Sequence, residues 1–122
     1  MRLTKSLKVP LILALLSLFI RSVHADAILV KATPTPYQVI DGSEVEIRLQ
    51  FNSRVDMKRS RLSIISASGE DRPLQISGKS APDCVDSKIT GMASGAYLLR
   101  WQVLASDGHI SRGQVPFRVR QK

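Results

Sequence analysis

Cysteine occurs once in these 122 residues and histidine twice. One thiol cannot close an internal disulfide, so the folded chain must be held by core packing even in an oxidising compartment. The thiol, Cys84, sits among Pro82, Asp83 and Asp86. These neighbours predict an unreactive loop cysteine whose pKa is raised by like charge. From residue 26 onward the chain has one histidine and one cysteine, too few for a structural zinc site of the usual Cys and His type. Neither a Gly-x-Ser-x-Gly elbow nor a phosphate-cradling glycine loop is present. A hydrolytic triad would have to join His109 to Asp107 and to Ser106 or Ser111, close neighbours whose side chains are expected to diverge on a turn. No enzymatic activity is expected. Aromatic residues are also scarce, with one Trp, two Tyr and three Phe, and few lie among the basic residues. That absence argues against a nucleic-acid surface.

What is present divides at residue 25. Arg2, Lys5 and Lys8 precede an apolar run from Val9 to Ile20, and Val23-His24-Ala25 follows it. A charged start, a short apolar stretch and a small-residue exit predict a signal peptide over residues 1–25. The apolar run is shorter than the roughly 20 residues a membrane-spanning helix needs. With Cys84 as the single cysteine, no lipidation box follows it. Cleavage after Ala25 leaves a single domain of 97 residues, 26–122, beginning at Asp26. It would carry 14 basic and ten acidic residues, a net charge of +4 rather than the +8 of the whole chain. Cleavage after Ala27 also satisfies a small-x-small rule, and cleavage before His24 would expose a histidine, so the terminus stays open between these sites.

The exported part reads as strands and turns. Glu44 to Phe51 alternates polar and apolar residues without a break, placing Val45, Ile47, Leu49 and Phe51 on one face. Further strands are predicted at Ile28–Thr33, Arg61–Ser66, Pro73–Ser77, Asp86–Gly91, Ala96–Leu104 and Gln114–Arg120, with Asp41-Gly42, Ser68-Gly69, Gly78 and Ser94-Gly95 as turns. About seven short strands without a helical period predict an all-β, Greek-key β-sandwich of immunoglobulin-like size. Tyr97, Leu99, Trp101 and Val103 share one face of the penultimate strand, which assigns Trp101 to the core.

The most informative stretch is Ser106-Asp107-Gly108-His109. A carboxylate and an imidazole two positions apart on a glycine turn is a spacing that a small copper or zinc site can use.

Beyond this turn, Ala27-x-Leu29 with Ala32-Thr33-Pro34, the strand ending Leu49-x-Phe51-x-Ser53-x-Val55, the segment Gly95-x-Tyr97-x-x-x-Trp101-x-Val103-x-Ala105-Ser-Asp-Gly-His109, and the closing Gly113-x-x-x-Phe117-x-Val119 together resemble the CopC copper-resistance family. The resemblance spans essentially all of residues 26–122. It implies a cupredoxin-like or immunoglobulin-like sandwich acting as a periplasmic copper carrier, a monomer that hands copper to a CopD-type inner-membrane copper transport protein. It also implies a Cu(II) site made of an N-terminal histidine, through amine and imidazole, with the Asp and His of an Asp-x-His motif. Asp107 and His109 match that motif. Counting back from Pro34, the family's first histidine falls on Asp26, so one imidazole nitrogen is replaced by a harder carboxylate oxygen. The expected metal ligands are therefore Asp26, Asp107 and His109, with Cu(II) as the ion and a weaker hold than the family pattern gives. An α-amine ligand titrating near pH ~8 would make affinity rise with pH. Some members carry a methionine-rich loop for Cu(I), whereas Met57 and Met92 stand apart here. The alternative reading is a CopC-fold accessory or interaction module with weak or lost copper binding.

Overall fold

Apolar residues at every second position of long segments leave those segments one way to bury their side chains, face to face with another sheet. The computed structural model describes residues 27–121; the expected signal segment and Asp26 lie outside the described residues. It shows eight strands: β1 (Leu29–Thr33), β2 (Gln38–Asp41), β3 (Val45–Phe51), β4 (Arg61–Ser66), β5 (Asp71–Leu74), β6 (Cys84–Ile89), β7 (Gly95–Leu104) and β8 (Ile110–Arg120). A single 3₁₀ turn, Met57–Arg59, precedes β4. The strands form two sheets, ordered β1-β3-β6 and β2-β8-β7-β4-β5. Five of the seven connections pass from one sheet to the other, the interleaving of a Greek-key sandwich.

The alternation read in the sequence decides which residues meet between the sheets. Val45, Ile47, Leu49 and Phe51 are buried, as are Leu99, Trp101 and Val103 of β7 and Val115, Phe117 and Val119 of β8. Burying a side chain the size of Phe51, 1% exposed, stabilises by roughly 2–3 kcal/mol. The Phe51 and Trp101 rings meet edge to face with centroids 5.1 Å apart, and Tyr97 stacks on Phe117 at 5.7 Å.

The last strand begins at Ile110, four residues before the expected Gln114, because it pairs with β7 up to the turn. Three further departures from the expected strands have physical causes. Gln38–Asp41 is an additional strand, parallel to β8, with only Ile40 half-buried, so its four residues carry almost no apolar alternation. The strand expected at Pro73–Ser77 lies earlier, at Asp71–Leu74. Pro73 is accommodated there because β5 is an edge strand. The strand expected from Asp86 begins at Cys84, which is buried and pairs with Gln50, so the expected loop cysteine is a strand residue.

Candidate metal site

The turn carrying Asp107 and His109 is built by its neighbours in the β7–β8 hairpin. Leu104 pairs with Ile110, the Ala105 N–H donates to the His109 carbonyl at 2.8 Å, and the Gly108 N–H donates to the Ala105 carbonyl at 2.9 Å. Gly108 takes the left-handed position at φ +91°, which a three-residue hairpin loop needs and a side chain would resist. This bend keeps Asp107 and His109 on the same side of the turn. Asp107 Oδ1 accepts the backbone N–H of His109 at 3.1 Å and stands 3.3 Å from His109 Nδ1. The side chains, expected to diverge if a triad was sought here, converge for these two residues. Their exposures of 42% and 55% leave both reachable by an ion from solvent.

The distance decides what the pair can hold. Two donors at right angles around a tetragonal ion, each bonded at about 2.0 Å, lie roughly 2.8 Å apart. A small side-chain rotation separates that value from the 3.3 Å between Oδ1 and Nδ1. Nitrogen and oxygen donors also suit Cu(II). The pair therefore fits as two cis ligands, and two donors alone make a weak site.

A second layer, invisible in the sequence pattern, braces the turn. The Arg54 carbonyl accepts the Ser106 N–H at 3.1 Å, Val55 bridges Ala105, and the Asp56 N–H donates to the Leu104 carbonyl at 2.9 Å. The buried Ser60 hydroxyl accepts the Leu104 N–H at 3.1 Å and donates to the Asp56 carbonyl at 2.7 Å. Asp56 itself is committed to capping the 3₁₀ turn through the amides of Lys58 and Arg59. The basic cluster Arg54, Lys58, Arg59 and Arg61 thus runs along the bracing segment.

The first described residues arrive at the same end of the sandwich. Ala27 is buried in the core, the Ile28 N–H donates to Asn52 Oδ1 at 2.8 Å, and the Asn52 N–H donates to the Ile28 carbonyl at 3.0 Å. Asn52 is two residues from Arg54, whose carbonyl holds the turn. Asp26, the third expected ligand, lies outside the described residues. Among the described residues, no group of three or more His, Cys, Asp or Glu side chains is placed to hold a metal ion. Met92 is buried in the core and Met57 packs over Gly78, so both are explained by packing.

The family model for the CopC domain matches residues 29–120. The structure superposes on that of CopC from Methylosinus trichosporium OB3b with a TM-score of 0.71 at 27% identity, covering 79% of this chain and 95% of that one. Against PcoC, a methionine-rich copper resistance protein from Escherichia coli, the TM-score is 0.62 at 21% identity, covering 79% of this chain and all of the other. A fibronectin(III)-like module structure of Clostridium thermocellum CbhA shares the fold at a TM-score of 0.50 and 19% identity, over 80% of this chain and 47% of that one. No curated protein matches the chain. The family match covers three quarters of the sequence and includes both the turn and the strands that brace it, so the chain belongs to the CopC domain family.

Proposed function

We propose that the chain is an exported, periplasmic Cu(II)-binding protein that takes part in copper homeostasis or resistance and passes the ion to a CopD-type membrane partner. The observation that carries this reading is the convergence of Asp107 and His109, 3.3 Å apart and open to solvent, at the end of the sandwich where Ala27 enters the core. Cleavage after Ala25 would deliver the free amine and the carboxylate of Asp26 to that end. Amine, Asp26, Asp107 and His109 then form an N₂O₂ donor set suited to a tetragonal ion. Family membership supports copper as the cargo, and the structural neighbours named for copper resistance support the same class.

Each residue has a separate task. His109 supplies the imidazole, while Asp107 supplies an oxygen donor and, through its bond to the His109 amide, sets the imidazole's approach. The amine must lose a proton to bind, so affinity is expected to rise as pH approaches ~8. The test is a calorimetric Cu(II) titration of the chain beginning at Asp26, with the terminus verified by mass spectrometry. About one ion should bind, and His109→Ala should abolish the isotherm. An unchanged isotherm in that variant would remove the reading.

A second reading is favoured by Asp26, which stands where the family pattern has a histidine, and by the lack of a methionine cluster around Met57 or Met92. In it the domain is an accessory or interaction module in which His109 is a turn residue anchored by Asp107. The same titration separates the two, because this reading expects Cu(II) to bind no more tightly than to an ordinary surface histidine.

A further inference from the structure

The two outer faces of the sandwich differ in charge. On the β1-β3-β6 sheet and its edge, Lys31, Arg48, Lys79 and Lys88 stand against Glu44, Glu46 and Asp86, an excess of one positive charge. Two of these pairs are closed, Arg48 to Asp86 at 3.0 Å and Lys88 to Glu44 at 2.7 Å. The outer face of the five-stranded sheet instead presents Arg61, Arg100, Arg112, Arg118 and Arg120 against Asp41 and Asp71, an excess of three positive charges. Arg120 is paired with Asp41 at 2.8 Å and Arg112 bonds the neutral Gln102 at 2.9 Å. Among the described residues, no carboxylate lies within 4.0 Å of Arg61, Arg100 or Arg118.

Of these arginines Arg118 lines an apolar depression of about 470 Å³ whose walls also include Tyr37, Ile65, Leu98 and Pro116. Arg100 follows Leu98 on the same face of β7, and Arg61 lies one row further along, opposite Gln102. Tyr37 is 81% exposed and sits at φ +65°, a left-handed backbone that a bulky residue rarely adopts. Its N–H donates to the Pro116 carbonyl at 2.7 Å, which holds the strained residue against the groove. An aromatic ring kept in water on a strained backbone, beside the Arg118 guanidinium and an apolar slot that continues into the Arg100 row, is the composition of a protein-recognition surface.

We infer that the outer face of the β2-β8-β7-β4-β5 sheet docks an acidic protein segment, with an apolar side chain of the partner entering the Leu98–Pro116 groove and its carboxylates meeting Arg61, Arg100 and Arg118. Charge complementarity selects the partner. Five arginines and no lysine favour forked pairing with carboxylates. Gln102, Gln114 and Ser63 between them offer bonds to a peptide backbone. The apolar side chains line a concave slot, which accepts a partner's side chain rather than inserting into a bilayer. This inference is independent of copper binding.

The test uses metal-free protein and a fluorescently labelled eight-residue peptide of alternating Glu and Leu, read by anisotropy, with amide NMR shifts to locate it. Binding should map to the Arg100, Leu98 and Arg118 rows and weaken with added salt. Arg100→Glu with Arg118→Glu should weaken it at least tenfold, while Lys31→Glu with Lys79→Glu, the same charge change on the opposite face, should alter it less than twofold. Tyr37→Gly removes the ring and relieves the backbone, so it should weaken binding severalfold without lowering thermal stability. If the Glu double variant fails to fold, Arg100→Gln with Arg118→Gln should still weaken binding severalfold. Equal loss in both charge-reversal variants, shifts on β3 and β6, or no peptide binding would overturn the inference. So would binding to phosphatidylglycerol-containing vesicles in place of the peptide, which would make the face a membrane surface.

Discussion

Asp107 Oδ1 accepts the backbone N–H of His109 at 3.1 Å while standing 3.3 Å from the Nδ1 of the same residue. One carboxylate therefore both sets the hairpin turn and faces the imidazole. The two tasks can be separated because an amide oxygen can replace a carboxylate as a hydrogen-bond acceptor but is a much poorer ligand for a divalent ion.

Asp107→Asn is expected to leave the turn intact, with a thermal midpoint within about a degree of the parent, yet to weaken Cu(II) binding at least tenfold. Asp107→Ala loses the acceptor as well and should also cost about 0.5–1 kcal/mol in a urea titration. Equal copper affinity in the Asn variant and the parent would remove Asp107 from the ligand set.

The Trp101 indole lies over Gly113, its cross-strand partner on β8, and a Cβ at position 113 would collide with Trp101 Cζ2 and Cε2. No side chain can be added there without moving the ring or the strand. Gly113→Ala should therefore destabilise by about 1–3 kcal/mol, as overpacking of a rigid core does. Trp101 Nε1 is buried without a hydrogen-bond partner among the described residues, so Trp101→Phe removes an unsatisfied donor as well as packing area. Combined with Gly113→Ala, it should recover part of the loss. Urea denaturation of the two single variants and the double variant measures that coupling. Strictly additive effects would show that the close contact is not the cause.

The sandwich was legible where side chains alternate strongly. Val45 to Phe51 and Tyr97 to Val103 each bury one face, and period-two alternation specifies which. Gln38–Asp41 was not legible, because a short edge strand is fixed by its parallel pairing to β8 and not by burial of its own residues. Cys84 reads as a loop residue because its neighbours are Pro and Asp, whereas its position follows from pairing with Gln50 across the sheet. At the turn, the pair Asp107 and His109 could be read from spacing. The bracing by Arg54, Asp56 and Ser60 could not, since those contacts join residues more than 40 positions apart mostly through backbone groups. The arginine face was also hidden, because its residues are scattered over β4, β7 and β8 and gather only when the strands align.

Asp86 ties the 78–83 loop to the β3–β6 pair. Its carboxylate accepts the Ser80 hydroxyl at 2.6 Å and the Ser80 amide at 3.1 Å, and pairs with Arg48 at 3.0 Å. Burial pushes its pKa up, but the Ser80 bonds and Arg48 outweigh that and hold it below the usual carboxylate value. A group whose folded pKa is depressed contributes stability above its unfolded pKa, about 3.9, and loses it as pH falls through the folded value. The cost of Asp86→Asn, about 1–2 kcal/mol, should thus be constant from about pH 5 to 8 and shrink on acidification below about pH 4. A difference between variant and parent that persists unchanged in strong acid would show that the charge is not what Ser80 and Arg48 recognise.

Cys84 opens β6 with 6% of its surface exposed. Burial is the main cause of its raised thiol pKa; the Ser80 hydroxyl works against it, and the nearby Asp83 and Asp86 carboxylates add to it. The thiolate is the form that reacts with disulfides and binds copper, so both burial and the raised pKa suppress those reactions. In the oxidising, copper-bearing compartment proposed for the chain, a lone exposed thiol would form intermolecular disulfides. The native protein at pH 8 should react with a chromogenic disulfide reagent at least a hundredfold more slowly than the urea-unfolded chain. It should also show no disulfide-linked dimer on non-reducing electrophoresis after incubation with one equivalent of Cu(II). Rapid native labelling, or copper-induced dimers that Cys84→Ser abolishes, would show that the strand opens readily and that the thiol takes part in copper chemistry after all.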